Sequence, residues 1–181
     1  MNRIKNILIT GQPGIGKTTL IKKLAEELKD LHPSGFYTTE IREAGNRKGF
    51  ELISLDGSKG ILSHVDIESQ YRVSKYGVDV ERFETFLDSV SLLDLTKSIV
   101  IIDEIGKMEC FSGKFRSLVR HILDSDKLLV ATIALRGSGM ISEIKKRNDV
   151  KLFQVRIENR DPLVLEILKD MRDLGEKLHR F

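Results

Sequence analysis

Residues Gly11-Gln12-Pro13-Gly14-Ile15-Gly16-Lys17-Thr18 follow the phosphate-binding pattern G-x-x-x-x-G-K-[ST]. The chemistry this predicts is capture of a polyphosphate. Glycine lets the backbone come close to phosphate oxygens. Successive N–H groups then form a nest at a helix N-terminus, where the helix dipole also favours an anion. Lys17 can reach the β- and γ-phosphates, and the Thr18 hydroxyl can hold Mg²⁺. A second group of chemical residues ends the stretch Ser98-Ile99-Val100-Ile101-Ile102-Asp103-Glu104. An Asp at that place can hold Mg²⁺, mostly through water. The adjacent Glu104 is the natural group to orient and deprotonate an attacking water.

Each group needs an element to aim it. The apolar run Ile4 to Ile9 is short enough for a buried strand, and Leu20, Leu24, Leu28 and Leu31 recur at helical spacing. Strand, glycine-rich turn and helix is the setting the phosphate loop requires. The β-branched run before Asp103 suits a parallel strand buried on both faces. Ligands of open α/β sheets sit outside the carboxyl ends of the strands, so the two groups should meet at one sheet edge. The rest of the chain alternates in the same way. Strands are predicted near 4–9, 36–41, 48–55, 98–102, 127–133 and 151–157. Helices are predicted near 17–31, 80–90, 112–124, 139–147 and 162–178. Ser112 is the expected N-cap of one helix, and Asp161, ahead of Pro162, of another. The polar stretch Glu43-Ala44-Gly45-Asn46-Arg47 between two strands reads as a β-hairpin turn. The region from Asp56 to Gly77 is rich in glycine and serine and poorly periodic, which predicts an irregular or lid-like connection.

The 181 residues suit one domain, spanning 1–181, with 40% hydrophobic and 31% charged residues. The net charge of +3 over 30 basic and 27 acidic residues is weak support for a nucleic-acid partner. No apolar run approaches the length of a membrane span, and the N-terminus has no signal-peptide pattern. Cys110 is the only cysteine, so an internal disulfide and a cysteine zinc cluster are excluded. The expected setting is the cytoplasm, without a membrane partner, and the expected state is a monomer. Signatures of protein kinases are absent, as is an Asn-Lys-x-Asp stretch for guanine. A carboxylate directly after the metal-associated aspartate favours water as acceptor, hence hydrolysis, although it can equally take a proton from a substrate hydroxyl.

The chain resembles the small P-loop nucleoside-triphosphatases first described from thermophiles, whose human relative is the cancer-related nucleoside-triphosphatase. The resemblance runs through the loop Gly11 to Thr19, the block Gly35-Phe36-Tyr37-Thr38-Thr39-Glu40-Ile41-Arg42, Gly49-Phe50 and Tyr76-Gly77-Val78-Asp79. It is most specific in Asp103-Glu104-Ile105-Gly106-Lys107-Met108-Glu109, and it reaches Glu158-Asn159-Arg160-Asp161. It implies an α/β, three-layer P-loop sandwich with a mainly parallel central sheet. The class is that in which an additional strand separates the phosphate-loop strand from the acidic strand, here with an inserted β-hairpin. It further implies Mg²⁺-dependent hydrolysis of ATP, GTP, CTP, UTP and TTP to diphosphate and phosphate. By the same resemblance Gly11 to Thr19 bind phosphates, and Val100, Ile101, Ile102, Asp103, Glu104, Ile105, Gly106 and Lys107 line the nucleotide site. Thr18 and Asp103 serve the metal, and Glu104 is the base.

Several side chains have two readings. Arg136, in the loop Arg136-Gly137-Ser138-Gly139, is a catalytic candidate that reaches the γ-phosphate from within the chain, set against a solvated loop arginine. Thr132 either meets the γ-phosphate or fills its strand. Lys107 either touches nucleotide or pairs with Glu109. Arg42 and Arg72 are candidates for ligand or partner contacts, and Asn159 and Asp161 for approach to the base. His32, His64, His121 and His179 have no metal-ligand spacing, and Cys110 reads as a structural thiol. Two other functions remain open. One is a nucleotide or small-molecule kinase whose acceptor pocket is built from 36–55 and 56–77. The other is a nucleotide-dependent regulatory or RNA-associated module, supported by the mild basicity alone.

Overall fold

The structure, a computed structural model, describes residues 4–177. Its strands are β1 (Asn6–Thr10), β2 (Ser34–Glu43), β3 (Asn46–Ser54), β4 (Lys59–His64), β5 (Arg72–Val73), β6 (Tyr76–Val78), β7 (Ile99–Ile105), β8 (Leu128–Ile133) and β9 (Val150–Gln154). Its helices are α1 (Lys17–Glu27), α2 (Val80–Ser89), α3 (Gly113–Asp124), α4 (Met140–Lys145) and α5 (Arg160–Lys177). All nine strands form one mixed sheet in the order β5-β6-β4-β3-β2-β7-β8-β1-β9. The pairs β2–β7, β7–β8, β8–β1 and β1–β9 are parallel. The pairs β2–β3, β3–β4, β4–β6 and β6–β5 are antiparallel. The expected mainly parallel sheet is therefore half parallel and half antiparallel by pairing.

That balance comes from the region predicted to be irregular. Residues 56–77 hold β4, β5 and β6, which extend the hairpin of β2 and β3 outward. Strands of two to six residues with glycine and serine in them leave no alternation long enough to read. Irregular chain remains only between β4 and β5. The hairpin itself turns through Ala44 and Gly45, both at positive φ, with Glu43 facing Asn46.

Alternation along the central strands builds a core on each face. Ile7, Ile9, Ile99, Ile101, Leu128 and Val130 pack against α1 and α5. Leu8, Val100, Ile102, Leu129 and Ala131 face the other way, toward α2, α3 and α4. The stripe of α1 buries Leu20, Leu24 and Leu28 but not Leu31, which is 42% exposed. The helix stops at Glu27, and a 3-10 turn of Lys29–Leu31 follows. Ser112 caps α3, its hydroxyl accepting from the Phe115 N–H at 2.9 Å. The expected cap at Asp161 is not there. Helix α5 begins at Arg160, and Leu163 N–H donates to Asn159 O. Asn159 closes the preceding turn instead, accepting from Arg156 N–H and donating to Gln154 O. Pro162 is tolerated inside the first turn because the N–H it lacks has no intrahelical partner there.

The amino-terminal edge of the sheet is stapled by a polar cluster. Arg147 donates to both carboxylate oxygens of Asp149 at 2.8 Å and pairs with Asp124 at 2.9 Å. Asn6, fully buried in β1, donates to Asp149 at 3.2 Å. The Arg147 guanidinium holds the Asp149 carboxyl below its ordinary range, against an opposing effect of burial. No helix among the described residues is long and apolar enough to cross a membrane.

Candidate active site

The phosphate loop leaves the carboxyl end of β1 and enters α1. Gly16 is in the left-handed region at φ 108, where a side chain would be strained, and it immediately precedes the first residue of the helix. The Lys17 ammonium folds back over the loop, donating to Gly11 O at 3.2 Å and Gln12 O at 3.5 Å. It also lies 3.5 Å from the Glu104 carboxylate. Thr18 Oγ1 donates to Asp103 Oδ2 at 2.7 Å. The two sequence motifs thus meet, because β8 alone separates β1 from β7 and all three run parallel.

The two acidic neighbours live in different surroundings. The β7–β8 register shifts between Ile102 and Ile105, and the Asp103–Glu104 peptide is cis. Asp103 is 1% exposed and accepts three hydroxyl hydrogen bonds. They come from Thr18 on α1, Thr38 on β2 at 3.2 Å and Thr132 on β8 at 2.5 Å. Three neighbouring elements therefore fix one carboxylate of β7. Glu104 has the single cation Lys17 in contact, and burial pushes its carboxyl above the ordinary range while Lys17 opposes the rise.

Glu109 forms a second tier behind it. It sits in a 3-10 turn of Glu109–Phe111, 5% exposed, with only N–H groups of its own residue and Gly106 set against its charge. Burial, with the Glu104 charge adding, pushes the carboxyl up to about 8. Gly106 is where both acids crowd. A Cβ there would lie 2.7 Å from a Glu109 oxygen and 2.9 Å from a Glu104 oxygen. A side chain there would shift one or both of the two carboxylates.

These groups line a cleft of about 1080 Å³ along the carboxyl edge of the sheet. From the phosphate loop come Pro13, Gly14, Gly16, Lys17, Thr18 and Thr19, and from the acidic segment Asp103, Glu104 and Lys107. Val100, Ile101, Ile102 and Ile105 are fully buried in the two cores, so they shape the strand and do not touch a ligand. This corrects the expectation that the whole segment lines the site. Gly11 and Gly106 are buried turn positions, Gln12 is exposed and Ile15 packs toward α1 and α5. Lys107 is exposed on the cleft and forms no ion pair with Glu109.

Arg136 departs most from expectation. Strand β8 does neighbour β7, as its proposed role requires, yet Arg136 is exposed and outside the cleft lining. The cation that bears on Glu104 from this loop is Lys145 of α4. Its ammonium donates to Ala134 O at 2.6 Å and Leu135 O at 2.9 Å, closing the end of β8. Thr132 fills its strand, fully buried in β8, and its hydroxyl in addition serves Asp103. Arg42 lines the cleft, whereas Arg72 ties the β5 turn by donating to Ile67 O and Lys75 O. Asn159 and Asp161 lie outside the lining. Burial pushes the half-buried Cys110 thiol up to about 11, consistent with a structural thiol. His179 lies outside the described residues.

The far wall comes from the segments 36–55 and 56–77, and its Arg47 contacts were not foreseen. Arg47 donates to Tyr76 Oη at 3.0 Å and to Glu40 at 2.6 Å, with its guanidinium 5.3 Å from the Phe50 ring centre. Arg42 joins the same carboxylate. Burial acts to raise Glu40, and the two guanidiniums outweigh it, so its carboxyl stays below the ordinary range. The available signal was an acid and two arginines flanking a hairpin turn.

A family model described as NTPase matches residues 6–168. Nucleoside-triphosphatase THEP1 of Thermotoga sp. (strain RQ2) is 49% identical over 94% of this chain and 98% of its own length. The cancer-related nucleoside-triphosphatase of Homo sapiens is 38% identical over 91% and 95%. The crystal structure of THEP1 from the hyperthermophile Aquifex aeolicus superposes with a TM-score of 0.84 at 39% identity, covering 92% of this chain and 98% of that one.

Proposed function

Since the chain belongs to the nucleoside-triphosphatase family, we propose that its cleft binds a nucleoside triphosphate at Gly11 to Thr19 and hydrolyses it with Mg²⁺ and little regard for the base. That it is a hydrolase of nucleoside triphosphates follows from the family. The observation that carries the site assignment is the pair of contacts Lys17–Glu104 and Thr18–Asp103. Strand β8 between β1 and β7 supports the additional-strand P-loop class.

The donor set fits Mg²⁺. Thr18 Oγ1 and Asp103 Oδ2 are hard oxygens 2.7 Å apart at the cleft floor. No group of three or more His, Cys, Asp or Glu among the described residues could hold a metal alone. An ion carried in part by substrate phosphates matches that sparse set. When bound, it neutralises charge on the phosphate oxygens. Thr38 and Thr132 hold Asp103 in one orientation toward it. The loop N–H groups and Lys17 stabilise the oxygens of the transferring group. Glu104 accepts a proton from water as the water oxygen bonds to the γ-phosphorus. The bond from that phosphorus to the bridging oxygen breaks, and the diphosphate leaves. A carboxyl raised by burial is a stronger base than an exposed glutamate once ionised. Nothing in the loop reads a base, because backbone groups meet only phosphate.

Single-turnover phosphate release from ATP and GTP tests the roles. Glu104→Gln should bind nucleotide and turn over slowly, and Lys17→Ala should lose binding. Turnover at the parent rate by Glu104→Gln removes it from the role of base. A release panel over ribo- and deoxynucleoside triphosphates, with and without Mg²⁺, should be flat across bases and need the metal. One sharp preference would overturn the breadth.

A further inference from the structure

The cleft extends well past the point of hydrolysis. The Lys17–Glu104 contact marks the terminal phosphate, at the end of β7. In the strand order, β2, β3, β4 and β6 lie beyond β7 on the side away from β1. On the placement proposed above, with the phosphates along Gly11 to Thr19, the nucleoside lies on the β1 side of that phosphate and leaves open the part of the cleft over β2, β3 and β6. Yet the residues of β2 to β6, with the turn between β5 and β6, form nearly half of the lining. The volume of about 1080 Å³ also exceeds the roughly 300–1,000 Å³ usual for the pocket of a single small molecule.

We propose that this arm is a second ligand subsite, which holds a phosphomonoester on a flat organic body beside the terminal phosphate. The proposal rests on the placement of the triphosphate given above. Its rim carries Arg42, Arg47 and Lys75 against the single carboxylate Glu40, so an excess of two positive charges faces the cleft. Lys75 pairs with no carboxylate among the described residues and lies 5.5 Å from the Tyr76 ring centre. The Arg47 guanidinium, 5.9 Å from the same ring centre, shares this part of the rim, and guanidinium and ammonium groups suit a phosphate. The wall beneath is apolar, with Phe50, Val73 and Met108 in it. An apolar wall with a few convergent charged groups selects a molecule having both an organic body and an anionic end. Water as sole reactant needs neither. The Arg47–Glu40 and Arg47–Tyr76 contacts hold the hairpin to β6, which makes the arm a built wall of the cleft.

The test saturates the nucleotide site with a non-hydrolysable ATP analogue and Mg²⁺, then titrates AMP by calorimetry. One AMP per chain should bind, with adenosine and inorganic phosphate each at least about tenfold weaker, because each lacks one half of the ligand. Lys75→Ala should weaken AMP by about threefold to tenfold, the scale of one exposed charge contact. Phe50→Leu should weaken it further. No saturable AMP binding in the presence of the analogue overturns the proposal, as does parent-like binding by Lys75→Ala. That exposed lysine keeps the test decisive should Phe50→Leu fail to fold. Phosphate release from ATP alone is read in parallel. Its absence counts against the hydrolytic roles, whereas absent AMP binding with normal release counts against the subsite alone.

Discussion

Two edges of one sheet each bury carboxylates, and they treat them in opposite ways. At the amino-terminal edge Asp149 meets a bidentate arginine and a buried asparagine, and its carboxyl is lowered. At the carboxyl edge Glu104 and Glu109 crowd Gly106 with one lysine in contact, and both carboxyls are raised. A group fully paired within the chain spends its interactions on the fold. A group left short of partners keeps them for a ligand or a proton. Asp103 stands between these cases, held by three hydroxyls that donate but carry no charge.

The sharpest break of that contrast would come at Glu104. Glu104→Gln should lower kcat by about 10²–10⁴-fold, the usual range for a general base, without lowering the melting temperature. A variant that unfolds while keeping turnover per folded molecule would put Glu104 on the structural side. Next comes Thr132→Val, which keeps shape and removes one donor to Asp103. Activity at limiting Mg²⁺ should fall by about 10–100-fold, as for other partners of a metal ligand, and denaturant titration should find a loss of about 1 kcal/mol. At the opposite edge, Arg147→Ala leaves Asp149 short of its charged partner. It should cost about 2 kcal/mol of stability, less than a fully buried pair because the arginine is partly exposed. Phosphate release per folded molecule should not change.

The edges also separate by pH. A raised Glu109 carboxyl favours folding when protonated. Its contribution is full below the ordinary value of 4.5 and is lost as pH rises to about 8. Asp149 has the other sign, contributing above its ordinary value of 3.8 and losing that as pH falls through its lowered folded value. Melting curves from pH 3 to pH 9 on Glu109→Gln should lose the alkaline decline and keep the acid one. An unchanged alkaline limb would mean that Glu109 is ionised in the native protein at neutral pH.

Much of the site was legible because its parts are local. The phosphate loop is eight consecutive residues, and the acidic pair ends a strand whose apolar run is visible by itself. The unread parts are relations between strands. Nothing near Thr132 announces that its hydroxyl reaches Asp103, since that depends on the β7–β8 register and the shift after Ile102. Arg136 looked suitable because its loop follows the correct strand, but direction of a loop side chain is not encoded in spacing. Lys145 does face inward because it lies on a helix packed against that loop. Strands β5 and β6 escaped for want of length, and with them went the Arg47–Tyr76 contact in the far wall of the cleft. The cap misplaced at Asp161 reflects an asparagine two residues earlier that closes the turn with its own side chain.

The strand order also sets a timetable. The hairpin of β2 and β3 and its neighbour β4 pair with segments adjacent in sequence, contacts a growing or collapsing chain makes early. Strand β1 has no such neighbour. Its partners are β8 and β9, and Thr10 donates to Ile133 O across 123 residues. A polypeptide cut before β8 would carry every letter of the phosphate-binding motif and lack both strands that pair with β1. The first strand of the sheet is therefore among the last to be paired, since both its neighbours come from the last third of the chain.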